Sequence, residues 1–203
     1  MKWNLFFNDG KCKVMHLGTK NPNQTYEITH DTNTHRLETC KEEKDLGVIF
    51  DPRLTFDRHI NMAVGKASRV LGLIRRSFIG LDNRVLLKLY KSLVRPHLEY
   101  GNQVWNPFLK RQSITIEKVQ RRATKLIKHI SHLEYEQRLQ KLKLPSLKFR
   151  RIRGDLINTY KIFHNKDNTN KQLFQLTNES RTRNKELKIL TQYSRTNIRK
   201  NIF

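Results

Sequence analysis

At Asp57 the spacing of apolar residues changes from about two to between three and four, and it holds that helical period as far as Phe163. Ile60, Val64, Ala67, Leu71, Ile74 and Phe78 form one stripe, opened by Asp57 as an N-cap and closed by Gly80. Asp82 caps a second stripe of Val85, Leu86, Leu89, Tyr90, Leu93, Val94 and Leu98. Pro96 falls inside it and should kink or break the helix near Arg95, because proline lacks the N–H donor and crowds the preceding turn. A third helix is expected over about 113–130, through Ile116, Val119, Ala123, Leu126, Ile127 and Ile130. A short fourth covers 134–142, and a fifth covers 146–163 through Phe149, Ile152, Leu156, Tyr160 and Phe163. Apolar stripes must be buried against one another, so 57–164 is expected to be a helical bundle.

The first fifty residues follow a different rule. Residues 12–17 are β-compatible, 25–29 alternate Tyr26 and Ile28 with polar neighbours, and 46–50 form a compact apolar run ending at Asp51-Pro52. Asn21-Pro22-Asn23 and residues 30–34 are the expected turns, and Glu42-Glu43 with its flanking lysines is expected to be a solvated loop. So few strands cannot stand alone and need something to pack on. The expected class is α+β: a small N-terminal β-sheet piece followed by a basic α-helical bundle. The divisions are 1–52 for the β segment, 53–131 for the main bundle, 132–164 for further helices and 165–203 for a polar, Asn-rich tail, poorly ordered or partner-dependent.

Charge divides the chain at nearly the same place. Residues 1–50 carry 7 basic and 7 acidic side chains, whereas 51–203 carry 34 against 11, which is the whole net charge of +23. Such an excess repels itself in a compact fold and is most readily tolerated beside a polyanion, so nucleic acid is the expected partner. Lys118, Arg121, Arg122, Lys125, Lys128 and His129 fall largely opposite the apolar stripe of the third helix. Arg75 and Arg76 end the first helix, and Arg150, Arg151 and Arg153 open the fifth. These cations suit backbone phosphates, which position a duplex without reading its sequence. The alternative for each is a solvated helix face, weakened on the third helix by the scarcity of acids at i±4.

Catalytic signatures are missing from the sequence. Two-metal phosphoryl transfer needs paired carboxylates, and the chain holds no Asp-Asp or Asp-x-Asp. Phosphate-loop, GxSxG and HExxH motifs are absent too, so no catalytic residue, metal or cofactor is expected of this chain alone. Cys12 and Cys40 are isolated, and Cys12 with His16 lacks the further ligands of a zinc site. Isolated cysteines suit a reducing compartment, nucleus or cytoplasm, and no run approaches the ~20 apolar residues of a membrane span.

Three blocks in fixed order carry a family likeness: KCKVMHLG from Lys11, EKDLGVIFD from Glu43, and LYKSLVRPHLEYGNQVWNP from Leu89. Together they resemble the segment of non-LTR (LINE-like, Jockey/CR1-type) retrotransposon reverse transcriptases that follows the catalytic Asp-Asp hairpin. HINMAVGKASRVLGLIRRSF and VQRRATKLI are similar to the thumb helices of that family, RGDLINTYKIF looks like the helix after the thumb, and RTNIRKNIF resembles the next stretch. The resemblance implies a C-terminal fragment of an RNA-directed DNA polymerase, with fingers and most of the palm missing upstream. Mg²⁺ would then serve only the intact parent polymerase. The implied partners are RNA–DNA duplex or RNA, and the missing palm and fingers.

The same resemblance implies roles for particular residues. Lys11 would lie near the leaving pyrophosphate, and Leu46, Gly47 and Val48 would form the primer-grip turn, where backbone approaches the primer end. The residues themselves leave alternatives open: Lys11 as an exposed strand-edge lysine, and Gly47 as a bulge or tight turn in a small sheet. Two other functions also remain open, a free-standing basic helical RNA-binding protein and an inert product of a decayed element.

Overall fold

The computed structural model describes residues 8–30, 33–77 and 82–164, together with Ile189, Leu190 and Tyr193. Phe78, Gly80 and almost all of the expected tail lie outside the described residues. The fold is α+β and divides into two compact units, Met1–Ala63 and Val64–Phe203. That division lies inside the first long helix.

Among the described residues, the first unit holds three separate two-stranded ladders. Strand β1 (Lys13–Val14) runs parallel to β4 (Glu38–Thr39), with Lys13 opposite Glu38. Strands β2 (Glu27–His30) and β3 (Asn33–Arg36) are antiparallel, as are β5 (Glu43–Asp45) and β6 (Val48–Phe50). Residues 33–34 and 43–44 were expected to be turn and loop. Pairing overrides their low strand propensity, because Glu27 faces Arg36 across one ladder and Asp45 faces Val48 across the other. Leu46 and Gly47 close the second hairpin with φ of 45° and 87°, the two positive values a two-residue primed turn requires.

Entry into the helices is set by Asp51. Its carboxylate accepts hydrogen bonds from the backbone N–H of Arg53 (3.0 Å), Thr55 (3.1 Å) and Phe56 (2.8 Å) and from the Thr55 hydroxyl (3.1 Å). Asp57, expected to be the N-cap, is instead the first residue of α1 (Asp57–Ser77), where its charge suits the helix N-terminus. Val48, Phe56, Ile60 and Ala63 are buried, the Phe50 and Phe56 rings meet edge-on at 5.7 Å, and buried His59 accepts the Ile49 N–H at Nδ1 (3.3 Å).

In the second unit, Ala67, Leu71 and Ile74 of α1 are buried as the stripe predicts. Helix α2 (Asn83–Leu89) starts on the Asp82 carboxylate, which accepts the Arg84 N–H (3.4 Å). It passes through a π-helical turn, Tyr90–Val94, into α3 (Pro96–Glu99). The regular α-helix thus ends before Pro96, with the interruption falling at Tyr90–Arg95 as expected. The Arg95 N–H reaches back five residues to the Tyr90 carbonyl (2.9 Å), so the turn is widened just before the proline that cannot continue the ladder. The wide turn has a packing consequence. Leu86, Tyr90, Val94 and Leu98 are all buried at four-residue spacing, and a regular helix would rotate each by about 40° from the last. Val85 and Leu93, expected on the same stripe, are exposed.

Gly101, at φ 64°, turns the chain into α4 (Asn102–Trp105), where buried Trp105 donates its indole N–H to the Tyr100 carbonyl (2.7 Å). Helix α5 (Lys110–Lys125) starts earlier and ends earlier than its periodicity suggested, and Lys128–Ile130 form a separate 3₁₀ turn. Ile127, at ψ 101°, is extended and stops the helix. Helix α6 (Tyr135–Leu142) ends on left-handed Lys143, with the Leu144 N–H bonded to the Leu139 carbonyl (2.9 Å). Tyr135, Leu139 and Leu144 form a buried cluster with Leu87 and Leu142 against it.

Helix α7 (Leu147–Phe163) starts where Ser146 Oγ accepts the Phe149 N–H (3.1 Å). Its orientation reverses the expectation. Leu147 and Arg151 are buried, whereas Phe149, Ile152, Leu156 and Tyr160, the expected core stripe, are exposed. Periodicity marks two faces on a helix without saying which one the bundle takes.

Candidate nucleic-acid interface

Helix α5 is built as two opposed surfaces. At 3.6 residues per turn, Ile116, Val119 and Ala123 share one side with Gln112, Gln120 and Thr124, and all six are buried. The polar members of that side are fully bonded. Gln120 accepts from the Tyr90 hydroxyl (2.7 Å) and donates to the Tyr135 oxygen (3.0 Å) and the Pro145 carbonyl (3.1 Å). Glu117 takes the Tyr135 hydroxyl proton bond and caps α7, accepting the Leu147 (3.2 Å) and Lys148 (3.3 Å) N–H groups. Thr124 accepts from Arg138 Nε (3.1 Å). Burial, followed by the neighbouring Tyr135, pushes the Tyr90 hydroxyl pKa well up. Burial also raises Tyr135, reinforced by its hydrogen bond to Glu117. These bonds fix α5 against the π-helical turn, α6 and α7.

The opposite surface is cationic. Lys118, Arg121, Arg122 and Lys125 are exposed, and Arg111, missed because the helix was expected to start later, joins them. Arg111, Lys118, Arg122 and Lys125 are spaced seven, four and three residues apart, so they form one row about 21 Å long. Lys118 and Lys125 make no ion pair with any described residue. Arg122 Nη2 donates to Ser68 Oγ of α1 (2.9 Å), which sets the row beside that helix. Gly65 and Gly72 lie about one turn on either side of Ser68 on α1. A side chain added at either would meet nothing within 4 Å, so the strip beside the cations is open. Arg75 and Arg76 are exposed in the last turn of α1, where cations suit the helix C-terminus.

Other expected contacts sit differently. Arg121 lies over the Tyr135 ring (4.3 Å) and 3.7 Å from Glu136, so it is partly engaged while still exposed. Lys128 is exposed but belongs to the 3₁₀ turn after α5, and His129 accepts from Asn83 Nδ2 (2.8 Å). Arg150 grips Glu99 with two hydrogen bonds, and that bonding raises its pKa. Arg151 is 3% exposed, donates Nη2 to Ser113 Oγ (3.0 Å), and leaves Nη1 without a partner; burial lowers its pKa. Neither arginine has a free guanidinium for a phosphate. Their position at the start of a helix read as surface, but α7 turns that side inward.

In the first unit, Lys11 is exposed and ends a 3₁₀ turn, Asp9–Lys11, just ahead of β1, so it is not a strand-edge residue. Lys13 occupies the strand and lies 3.4 Å from Glu43. Leu46 is exposed at the tip of the β5–β6 hairpin, Gly47 completes the turn, and Val48 is buried beneath it. Of the three expected primer-grip residues, two are available at a surface. Among the described residues no three of His, Cys, Asp and Glu come together as a metal site, and no helix is long and apolar enough to cross a membrane.

No protein-family model matches the chain, and no solved structure matches it. Three known proteins are similar to parts of it. The RNA-directed DNA polymerase from mobile element jockey of Drosophila funebris is 36% identical over 110 residues, which is 52% of this chain and 12% of that protein. The probable RNA-directed DNA polymerase from transposon X-element of Drosophila melanogaster is 27% identical over 135 residues, 62% of this chain and 14% of that protein. An uncharacterized protein of Caenorhabditis elegans is 30% identical over 111 residues, 53% of this chain and 56% of its own length. The chain thus spans a small part of the polymerases it matches, and over about half of its own length it is related to RNA-directed DNA polymerases of retrotransposons.

Proposed function

We propose that this chain is the thumb and adjoining palm edge of a retrotransposon reverse transcriptase, and that it holds an RNA–DNA duplex by its backbone. The observation that carries the reading is the cationic row of α5, exposed, with Lys118 and Lys125 in no ion pair with any described residue, fixed from behind by a buried hydrogen-bond network. A rigid row of this kind meets successive phosphates and is indifferent to base sequence. Arg122 adds a planar guanidinium suited to bidentate phosphate contact. The relatives named as polymerases support the setting, as do the Leu46–Gly47 hairpin tip, which offers close backbone approach, and Lys11, an exposed cation available to a phosphate. In this reading the carboxylates and Mg²⁺ that perform synthesis belong to other parts of the polymerase.

Charge reversal is the direct test. Arg121→Glu, Arg122→Glu and Lys125→Glu together should weaken RNA–DNA duplex binding by more than about tenfold at ~0.1 M salt. The slope of log affinity against log salt should flatten by about three as three phosphate contacts are lost. Unchanged affinity and slope would remove the proposal. Competition between an RNA–DNA hybrid and a structured single-stranded RNA separates the polymerase reading from a free-standing RNA-binding module, which would prefer the RNA.

A further inference from the structure

We infer that the outward face of α7 is a docking surface for an amphipathic, acid-flanked helix of another protein segment. Phe149, Ile152, Leu156 and Tyr160 are 57%, 48%, 66% and 54% exposed, and Ile157 is 42% exposed beside them. They recur at three and four residues along one line about 17 Å long, the length of three helical turns. A stripe of that length and spacing is the footprint of a helix laid along a helix. It is not leftover core, because the opposite side of α7 is already anchored. Leu147 and Arg151 are buried, Arg151 bonds Ser113, and Asp155 accepts from Asn106 Nδ2 (3.2 Å).

Charge selects the occupant. Lys148 beside the stripe and Arg153 within it are exposed, and neither side chain is paired with any described residue. Asp155, the only acid of α7, is on the anchored side and bonded. Arg153 stands one turn from both Phe149 and Ile157, within the angular width of the stripe. A second copy of this helix would set cations against cations, and a lipid surface would have to accept a guanidinium among the aliphatic groups. A helix carrying a carboxylate at the facing turn pairs with Arg153 and covers Ile152 and Leu156 with its own apolar residues.

The test uses the whole chain and three labelled synthetic helical peptides of about five turns. The first carries a leucine stripe flanked by glutamates, the second the same stripe flanked by lysines, and the third glutamates flanking a serine stripe. Fluorescence anisotropy should show the first binding at least about tenfold more tightly than the other two. Leu156→Ser should abolish that preference, with unchanged circular dichroism and unchanged RNA–DNA duplex affinity, and Arg153→Ala should weaken it with unchanged circular dichroism. Equal binding of the leucine and serine peptides, or insensitivity to Leu156→Ser, overturns the inference. So does a dimer in sedimentation that Leu156→Ser dissolves, or a loss confined to anionic phosphatidylserine vesicles. Because duplex affinity is read separately, failure here leaves the nucleic-acid proposal untouched, and the reverse also holds.

Discussion

Helices α5 and α7 share a composition and take opposite orientations. Both are amphipathic and rich in Lys and Arg, and both show apolar residues at three- and four-residue spacing. Helix α5 buries Ile116, Val119 and Ala123 and exposes its cations; α7 exposes Phe149, Ile152, Leu156 and Tyr160 and buries Arg151. What separates them is the polar content of the inner side. On α5, Glu117, Gln120 and Thr124 each find partners on facing elements, so the polar groups strengthen the packing. On α7, the Glu117 cap and the Arg150–Glu99 pair fix the rotation from the first turn, and the apolar residues go wherever that rotation sends them. The lesson is that polar anchors can decide which face of an amphipathic helix is buried.

The sharpest way to break the comparison is a pair of truncations. Ile116→Ala on α5 should cost about 2–5 kcal/mol of stability through the cavity it leaves. Leu156→Ala on α7 should change stability by no more than about 0.5 kcal/mol. Urea denaturation of both variants reads the difference, and equal losses would put the α7 stripe inside the core.

A pH titration tests the anchors themselves. The folded-state pKa values of Tyr90 and Tyr135 are raised above their ordinary value of 10.0. The unfolded chain therefore releases these protons first. Their contribution is fully present below pH 10 and is lost as pH rises above it, by up to about 1.4 kcal/mol per pH unit for each tyrosine. Tyr135→Phe should roughly halve the alkaline slope of denaturation-derived stability; an unchanged slope would mean that the network does not hold the bundle.

A small effect is also expected at Arg151. Arg151→Met removes a buried guanidinium with one unbonded nitrogen along with its bond to Ser113, and should shift stability by less than about 1 kcal/mol. Duplex affinity should not change. A loss of affinity would return Arg151 to the interface and undo the contrast with Lys118.

Much of the cationic surface of α5 was legible because it depends on local rules. Lys118, Arg121, Arg122 and Lys125 fall opposite Ile116, Val119 and Ala123 by periodicity alone, and they are exposed. The exclusion of Arg150 and Arg151 was not legible, since it depends on Glu99 and Ser113, which lie 51 and 38 residues away in the chain. The interruption near Arg95 was legible from Pro96, but its form was not: the π-helical turn falls where Leu86, Tyr90, Val94 and Leu98 are all buried. In the first unit, Asp51 displaced Asp57 as organiser of the helix entry because its carboxylate is within reach of three backbone donors at once.

From the sequence alone came the α+β division, the helical period after Asp57 and the confinement of excess positive charge to that part, since each depends on residue spacing or residue count. Tertiary structure alone decided the rotation of α7, the burial of Arg151 and the hydrogen bonds that hold α5 in place. Those outcomes turn on which distant groups meet, and the energy of a buried polar contact does not exist until the chain has brought both partners out of water.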